Sequence, residues 1–426
     1  MQFPRIMMPV AEKTWGAISK GAGFVKRQEH DWKVSVARTN LTQFFYRMVL
    51  PYLSIYTMAL GATGTQLGLV NSIGMFVAGI AGLFSGWLID KTSLKKIYLI
   101  GIVILAVSYL VYGLAQSWPI IIIAMTAYWL GNSTSLNTCQ VICGNCLKSD
   151  ERATGMALCE TFSMGLLGFA APMVGAWVVT ASGGVNVEGI RPLFFISLAG
   201  IVGTFFLILT QLSNRSWKKS GETSLSFLTG ISQVFKQGHN LKRWLIIATV
   251  TGMEMGMITP YAQPFARDLK GADQFVLGAM VTASALVPLV LGIPMGRLAD
   301  RIGRKKIIYL TIPLVWVFYL VLIFAPSPGF LIVSGAFQGF FMMATTATEA
   351  MSRELVPPEQ MGRWVGILRL GRLGFGALTV YLAGLIWDNI GPQYVFWFIM
   401  AFDFIRIPLL IGMPETLGLQ NRTKQP

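Results

Sequence analysis

Gly296-Arg297-Leu298-Ala299-Asp300-Arg301-Ile302-Gly303-Arg304-Lys305-Lys306 decides how this chain folds, because a diluted copy stands at Gly86-Trp87-Leu88-Ile89-Asp90-Lys91, with Lys95-Lys96 just beyond. The two aspartates are 210 residues apart in a chain of 426. Each copy follows a long apolar run and precedes another. A repeat of this length sets the architecture before any residue is given a role. Here it describes two homologous halves, each with a charged turn at the same place. Two further landmarks keep the register. Pro51-Tyr52 and Pro260-Tyr261 are offset by 209 residues, and Arg152-Ala153-Thr154-Gly155 and Arg363-Trp364-Val365-Gly366 by 211.

Composition says where the halves live. Hydrophobic residues make up 54% of the chain and charged residues 12%, with mean hydropathy +0.60. Soluble proteins carry about 25% charged residues, so this is a bilayer composition. Twelve apolar stretches, near 38–60, 65–89, 95–115, 119–147, 153–181, 191–212, 242–266, 274–299, 305–325, 328–353, 362–387 and 392–413, are long enough to span. The net charge of +15 would point to nucleic acid in a soluble protein. Here the cations gather in alternate connections, and the intervening ones carry only Arg191, Arg267 and Lys270. By the positive-inside rule both termini face the cytoplasm, in a multi-pass protein of the plasma membrane, and no nucleic-acid partner is expected. The expected organisation is a cytoplasmic N-terminal segment (1–37), a six-helix bundle (38–212), a polar cytoplasmic linker (213–241), a second six-helix bundle (242–413) and a tail (414–426). The fold class is thus an all-α membrane protein, twelve transmembrane helices in two pseudo-symmetric bundles. The N-terminal segment has no continuous apolar core of the signal-peptide kind.

The second charged turn fits the loop signature G-x-L-x-D-R-x-G-R-[KR] of the major facilitator superfamily throughout. The first keeps Gly86, Leu88 and Asp90 but has Ser93 and Leu94 where Gly and Arg are usual. With the Arg152 and Arg363 turns and the ending Met413-Pro414-Glu415-Thr416-Leu417-Gly418, the chain resembles that family over about 38–413. The resemblance implies alternating access: two parallel-repeat bundles rock about a central cavity lined by spans 1, 4, 7 and 10. It also implies a cytoplasmic gate built from Gly86, Asp90, Arg152, Gly296, Asp300, Arg301, Arg304 and Arg363. A carboxylate at a helix C-terminus opposes the helix dipole, so Asp90 and Asp300 need another partner. The competing reading is that these charges only set topology.

Intramembrane polar residues are costly and normally face protein or water. Arg47 lies mid-way through span 1 near Asn40, Gln43, Tyr46 and Tyr52, with Gln43 on its face at i, i+4. Its planar donor fork suits a carboxylate or phosphate; a permanent ion pair is the alternative. Glu254 in span 7, Glu160 in span 5 and Glu349 in span 10 are candidate coupling carboxyls, because apolar surroundings favour the protonated form of such a group. Both histidines, His30 and His239, fall in cytoplasmic segments, so no histidine relay is expected. Arg372 in span 11 is a possible cavity residue, with Glu349 or Asp403 as structural partners; Asp403 and Arg406 can also pair locally at i, i+3. Span 4 carries Asn132, Ser133, Thr134, Ser135, Asn137 and Thr138, too polar to face lipid on all sides. It has no Arg between Pro119 and Lys148, where many proton-coupled exporters carry one. Span 5 keeps Pro172 and Gly175 of the exporter-type G-P-x-x-G pattern but has Ala171 for the first Gly. Cys139, Cys143 and Cys146 share a helical face; buried thiols are the expected reading, against a soft-metal site.

These residues describe a secondary transporter of a small organic molecule, read as proton-coupled export of amphipathic compounds. The alternatives are uptake or exchange of an anionic metabolite, motivated by Arg47, and a non-transporting receptor on a transporter fold. No Walker, zinc or Ser/His/Asp motif is present, so neither an enzyme nor ATP-driven transport by this chain is expected. The expected partners are the substrate, a proton or other coupling ion and the lipid bilayer, with the chain a monomer and no cofactor or metal. Because the second charged turn is intact and the first is not, Asp300→Asn is expected to slow transport more than Asp90→Asn in a reconstituted flux assay. Equal effects would count against the gate reading.

Overall fold

The computed structural model describes residues 23–91, 93–147, 167–214, 235, 240–356 and 361–416. Among the described residues each apolar stretch holds helix, the fifth from Leu167 onward. The first is α1 (His30–Val49), a 3-10 turn (Leu50–Tyr52) and α2 (Leu53–Ala59). Then follow α3 (Gly64–Lys91), α4 (Leu94–Leu114), α5 (Trp118–Cys146), α6 (Leu167–Ala181) and α7 (Val187–Gln211). The second half holds α8 (Leu241–Asp268), α9 (Gln274–Ile302), α10 (Arg304–Phe324), α11 (Pro328–Glu354) and α12 (Met361–Asn389). Its last stretch is split into α13 (Pro392–Ala401) and α14 (Asp403–Ile411).

Helix is the required answer for these sequences. Hydrocarbon gives a backbone no partner, and a helix satisfies every N–H and C=O within the segment. Eight helical segments among the described residues are long and apolar enough to cross a membrane. Those that fall short include α1 and α8, which carry Arg38, Asn40, Gln43 and Arg47, and Thr249, Thr251 and Glu254. Starts are marked chemically. Pro119, Pro328 and Pro392 sit in the first turns of α5, α11 and α13, where a missing N–H costs nothing. Asn186 and Asp273 cap α7 and α9 through the backbone N–H of Gly189 and Val276. Helix α1 starts eight residues before the apolar limit at 38. Asp31 in its first turn is buried and accepts from the backbone N–H of Ser213 at 3.0 Å and from its hydroxyl, tying the helix to the end of α7.

The halves meet along two main seams, α3 with α12 and α6 with α9, and α8 crosses to α2 between them. Small residues set the distance. A Cβ on Gly68 of α3 would lie 2.8 Å from the Val380 carbonyl of α12, and one on Gly278 of α9 would lie 2.9 Å from the Pro172 carbonyl of α6. The exporter-type Pro172 therefore marks a backbone-to-backbone approach between halves. One apolar core fills the N-terminal half and continues into the second half through Tyr261, Phe265, Val380 and Trp387. A smaller core, with Trp244, Ile307, Met351 and Trp364, fills the opposite, basic end of the second half.

Gly68→Val should lower stability by about 1–3 kcal/mol through overpacking, visible as a lower melting temperature in detergent. Gly79→Ala is the control, because its Cβ would come no closer than 3.6 Å to Leu373.

Candidate functional site

The two Pro-Tyr copies build a latch between the halves. Pro51 has no N–H to donate, and the helix tightens there into the 3-10 turn that ends at Tyr52. Tyr52 is fully buried and its hydroxyl donates to the carbonyl of Gln274, the first residue of α9, at 3.0 Å. Tyr261 donates to the carbonyl of Gly64, the first residue of α3, at 3.0 Å, and to that of Val380 at 3.1 Å. Each half sends its tyrosine to the start of the other half's second helix. A further pair of contacts is exchanged beside them. Gln274 donates to the Thr180 hydroxyl of α6 at 2.9 Å, and Gly64 and Thr65 donate their backbone N–H to Asp388 of α12 at 2.9 and 2.7 Å. These differ in kind. Thr180 is neutral, whereas Asp388 is a carboxylate on the positive end of α3, capping N–H groups with no intrahelical partner. Arg267 adds a bond to the Val185 carbonyl at 2.7 Å. Ser72 to Ala377, Thr282 to Phe169 and Arg369 to Ser133 continue the seam to mid-depth.

Among the charges within the helices, three sets stand out. Arg47 lies across Gly168 of α6, where a Cβ would meet its side chain at 2.9 Å. Its Nε is buried without a partner, and among the described residues it makes no ion pair. Gln43, one turn earlier, is half-buried. Arg372 of α12 pairs with Glu349 of α11, with both side chains partly exposed. The third set is enclosed. Glu254 of α8 accepts from Arg406 at 2.7 Å, and Arg406 also pairs with Asp403 on α14. Trp316 of α10 donates to Asp403 at 2.5 Å. Glu254 is only 1% exposed and its Oε1 has no partner. Two carboxylates thus share one guanidinium, an arrangement with one surplus negative charge when both are ionised.

At the basic end, Arg304 reaches Asp300 at 3.0 Å and Glu354 at 3.3 Å. Asp300 and Arg301 are exposed, and a Cβ on Gly296 would touch nothing within 4 Å. Gly303 turns the chain with φ 107°, a left-handed conformation that favours glycine. Glu415 then accepts from the backbone N–H of Arg304 and Lys305 at 2.9 and 3.2 Å, capping α10. Lys305 donates to the carbonyls of Ile411 and Met413, and Thr416 to Glu354 at 2.6 Å. The Pro-Glu-Thr ending is a staple under the second half.

Several sequence candidates lie outside this description. Arg152 and Glu160 are not among the described residues, and Gly86, Asp90, Asn137 and Arg363 lie on helices whose side chains there are not described. Tyr52, a candidate substrate residue by its place near Arg47 in span 1, has its hydroxyl engaged at the seam. Arg372 has the expected partner, Glu349. The sequence reading missed the long-range contact of Arg406 with Glu254, and it missed Asp388 and Arg38. Arg38 is buried with its guanidinium 4.8 Å from the centre of the Tyr98 ring. Asp388 had a signal: an acid in the last turn opposes its own helix dipole and needs an outside donor. Cys139 lies 3.3 Å from the hydroxyls of Ser35 and Thr39.

The sequence pattern of the Major Facilitator Superfamily matches residues 39–253 and 244–422. The chain is similar to the multidrug resistance protein MdtG of Escherichia coli, 26% identical over 282 residues, which cover 63% of this chain and 65% of that protein. The MdtG of Proteus mirabilis is 27% identical over 291 residues, covering 64% of this chain and 68% of its own length. The match thus spans about two thirds of the length of these relatives. Among solved structures, the nucleoside transporter NupG superposes with a TM-score of 0.70 at 16% identity, covering 93% of this chain and 99% of that one. A POT family transporter in complex with 5-aminolevulinic acid superposes with a TM-score of 0.71 at 12% identity, covering 89% and 94%. At these identities the likeness is one of fold.

Removing Arg406 alone should be costly, because two buried carboxylates lose their shared partner. Arg406→Leu is expected to destabilise by about 3–5 kcal/mol, read by thermal melting. Combining it with Glu254→Gln and Asp403→Asn should recover much of the loss.

Proposed function

This chain belongs to the Major Facilitator Superfamily, and from that premise we propose that it exports amphipathic organic compounds by alternating access, driven by inward proton flow. Export is supported by the likeness to proteins named multidrug resistance protein MdtG. Alternating access is supported by the observation that carries the whole reading. The two halves exchange equivalent contacts at one end, Tyr52 to Gln274 and Tyr261 to Gly64. A pseudo-symmetric latch of this sort can open as a unit when the bundles rock. We read this end as facing outward and the basic end as cytoplasmic, in agreement with the positive-inside rule. The setting is then a bacterial inner membrane, with both termini inside and the chain a monomer. The turns at Asp90 and Asp300, with Gly86, Gly296, Arg301, Arg304, Arg152 and Arg363, form the opposite gate.

Proton coupling is supported by the charge cluster of the second half. Glu254 and Asp403 share Arg406, so uptake of one proton removes the surplus charge. Enclosure makes that change large in energy, since an unbalanced buried charge is expensive. Protonation from outside and release inside would then bias the packing of α8 against α14 in each cycle. Glu160 and Glu349 are secondary candidates, the latter already paired with Arg372. A second reading, transport of an anionic metabolite, is favoured by Arg47, which has no carboxylate partner among the described residues. Gln43 and Asn137 would help line that path.

Reconstituted vesicles test the proposal. An imposed pH gradient should drive accumulation of an amphipathic dye by the wild type. Glu254→Gln should lose gradient-driven accumulation and keep downhill exchange. Unchanged accumulation in that variant would overturn the coupling mechanism.

A further inference from the structure

We propose that a chamber lined chiefly by the N-terminal half, with Thr259 of α8 from the second half, binds an uncharged aromatic ring that carries a hydrogen-bond acceptor, and that this ring site is built against the outer latch. Tyr46 of α1 and Tyr128 of α5 stack with ring centres 5.2 Å apart and planes 18° apart. Trp129 and Tyr109 stand edge-on to Tyr128, at 5.8 and 6.4 Å. Tyr112 and Met125 close the slot. Such walls offer stacked and edge-on contacts to a flat ring, geometries that stabilise aromatic pairs beyond the area they bury.

The polar atoms of the chamber define the second half of the recognition. The Tyr109 hydroxyl is buried and has no hydrogen-bond partner. The Tyr112 hydroxyl bonds the sulfur of Met125 at 3.6 Å, and a thioether is a weak acceptor. Although Asn71, Ser54 and Thr259 also line the slot, the Tyr109 hydroxyl is thus left without an acceptor and the Tyr112 hydroxyl with a weak one, a condition that a ligand carbonyl, nitro or ether oxygen relieves. The lining contains no Asp, Glu, Lys, Arg or His. An ionised group entering it would lose its hydration without a counter-charge. This selects a neutral ring. A cation held by the aromatic faces alone is the rival occupant.

The chamber wall also includes Leu50, Leu53 and Ser54, which flank Pro51-Tyr52, and Thr259, which precedes Pro260-Tyr261. A ring that widens the slot thus presses on the backbone next to both latch tyrosines. Binding and loosening of the outer seam are linked through these few residues. This linkage rests on the exporter reading, whereas ring binding does not.

The test uses purified full-length protein in detergent and two neutral naphthalene probes, 6-propionyl-2-dimethylaminonaphthalene, a ketone, and N-phenyl-1-naphthylamine, which has no carbonyl. Energy transfer from tryptophan reads binding. Tyr128→Leu should weaken both probes by about tenfold or more. Tyr109→Phe should weaken the ketone by about three- to tenfold and leave the arylamine unchanged. Competition by tetraphenylphosphonium should be poor. Equal ketone affinity in wild type, Tyr128→Leu and Tyr109→Phe would overturn the site, and strong competition by the cation would overturn the neutral-ring assignment. Tyr109→Phe removes one oxygen from a folded site, so its result does not depend on surviving a large truncation. If both probes bind as expected while wild-type vesicles export no compound tried, the exporter reading fails and the ring site stands. If export is normal and the variants leave binding unchanged, the ring site alone fails.

Discussion

A backbone in hydrocarbon has no water to bond, and this one constraint organises the whole molecule. It makes each apolar stretch a helix. It also governs how the helices end and meet, because the N–H groups of a first turn and any free carbonyl at a seam must find partners in the protein. The contacts between halves include one of this kind and several in which a side chain adds a second bond to a backbone carbonyl. Tyr52 and Tyr261 give hydroxyl protons to carbonyls at the starts of α9 and α3, and Asp388 collects the unsatisfied N–H groups of Gly64 and Thr65. At Gly64 and Thr65 the group that satisfies the helix end, Asp388, belongs to the other half, whereas Asn186, Asp273 and Glu415 cap helices of their own half. Separating the halves would leave those N–H groups of α3 without that partner.

The same scarcity of water separates the charges into classes. At the basic end, Asp300, Arg304 and Glu354 are partly or largely exposed, so their mutual attraction is screened and contributes modestly. In the interior of the second half, Glu254, Arg406 and Asp403 are enclosed, and no solvent can soften an imbalance. A group that changes its charge there must be answered by a change in packing, whereas one at the rim is answered by water. That contrast in burial, more than the identity of the residues, separates the two charge clusters.

Much of the fold was legible from Asp90 and Asp300, from the Pro-Tyr pairs and from the alternate loops with few cations. The Pro-Tyr repeat was visible as a repeat, and its meaning was not. Nothing in either dipeptide says that the hydroxyl crosses to the opposite half. Arg406 looked like the local partner of Asp403 at i, i+3, and that pair is present; its bond to Glu254, 152 positions away, depends on how α14 lies against α8. Glu415 looked like part of a family ending, and it caps α10 because the chain after α14 folds back under the bundle.

The aromatic chamber shows the limit most clearly. Tyr109, Tyr112, Tyr128 and Trp129 sit in apolar helices and read as ordinary core or interface residues. Their rings converge because α4 packs on α5, and α5 on a first helix that tightens into a 3-10 turn at Pro51. By itself the sequence determined that the chain crosses a membrane many times, in two copies of one pattern, because hydropathy and repeat length are local properties that each segment carries wherever it goes. Which carboxylates share a guanidinium, which tyrosine hydroxyls bond and which stay unsatisfied, and which end of the bundle holds the exchanged contacts were decided only by tertiary structure. Those are distances between segments far apart in the chain, and they exist only after the helices have packed.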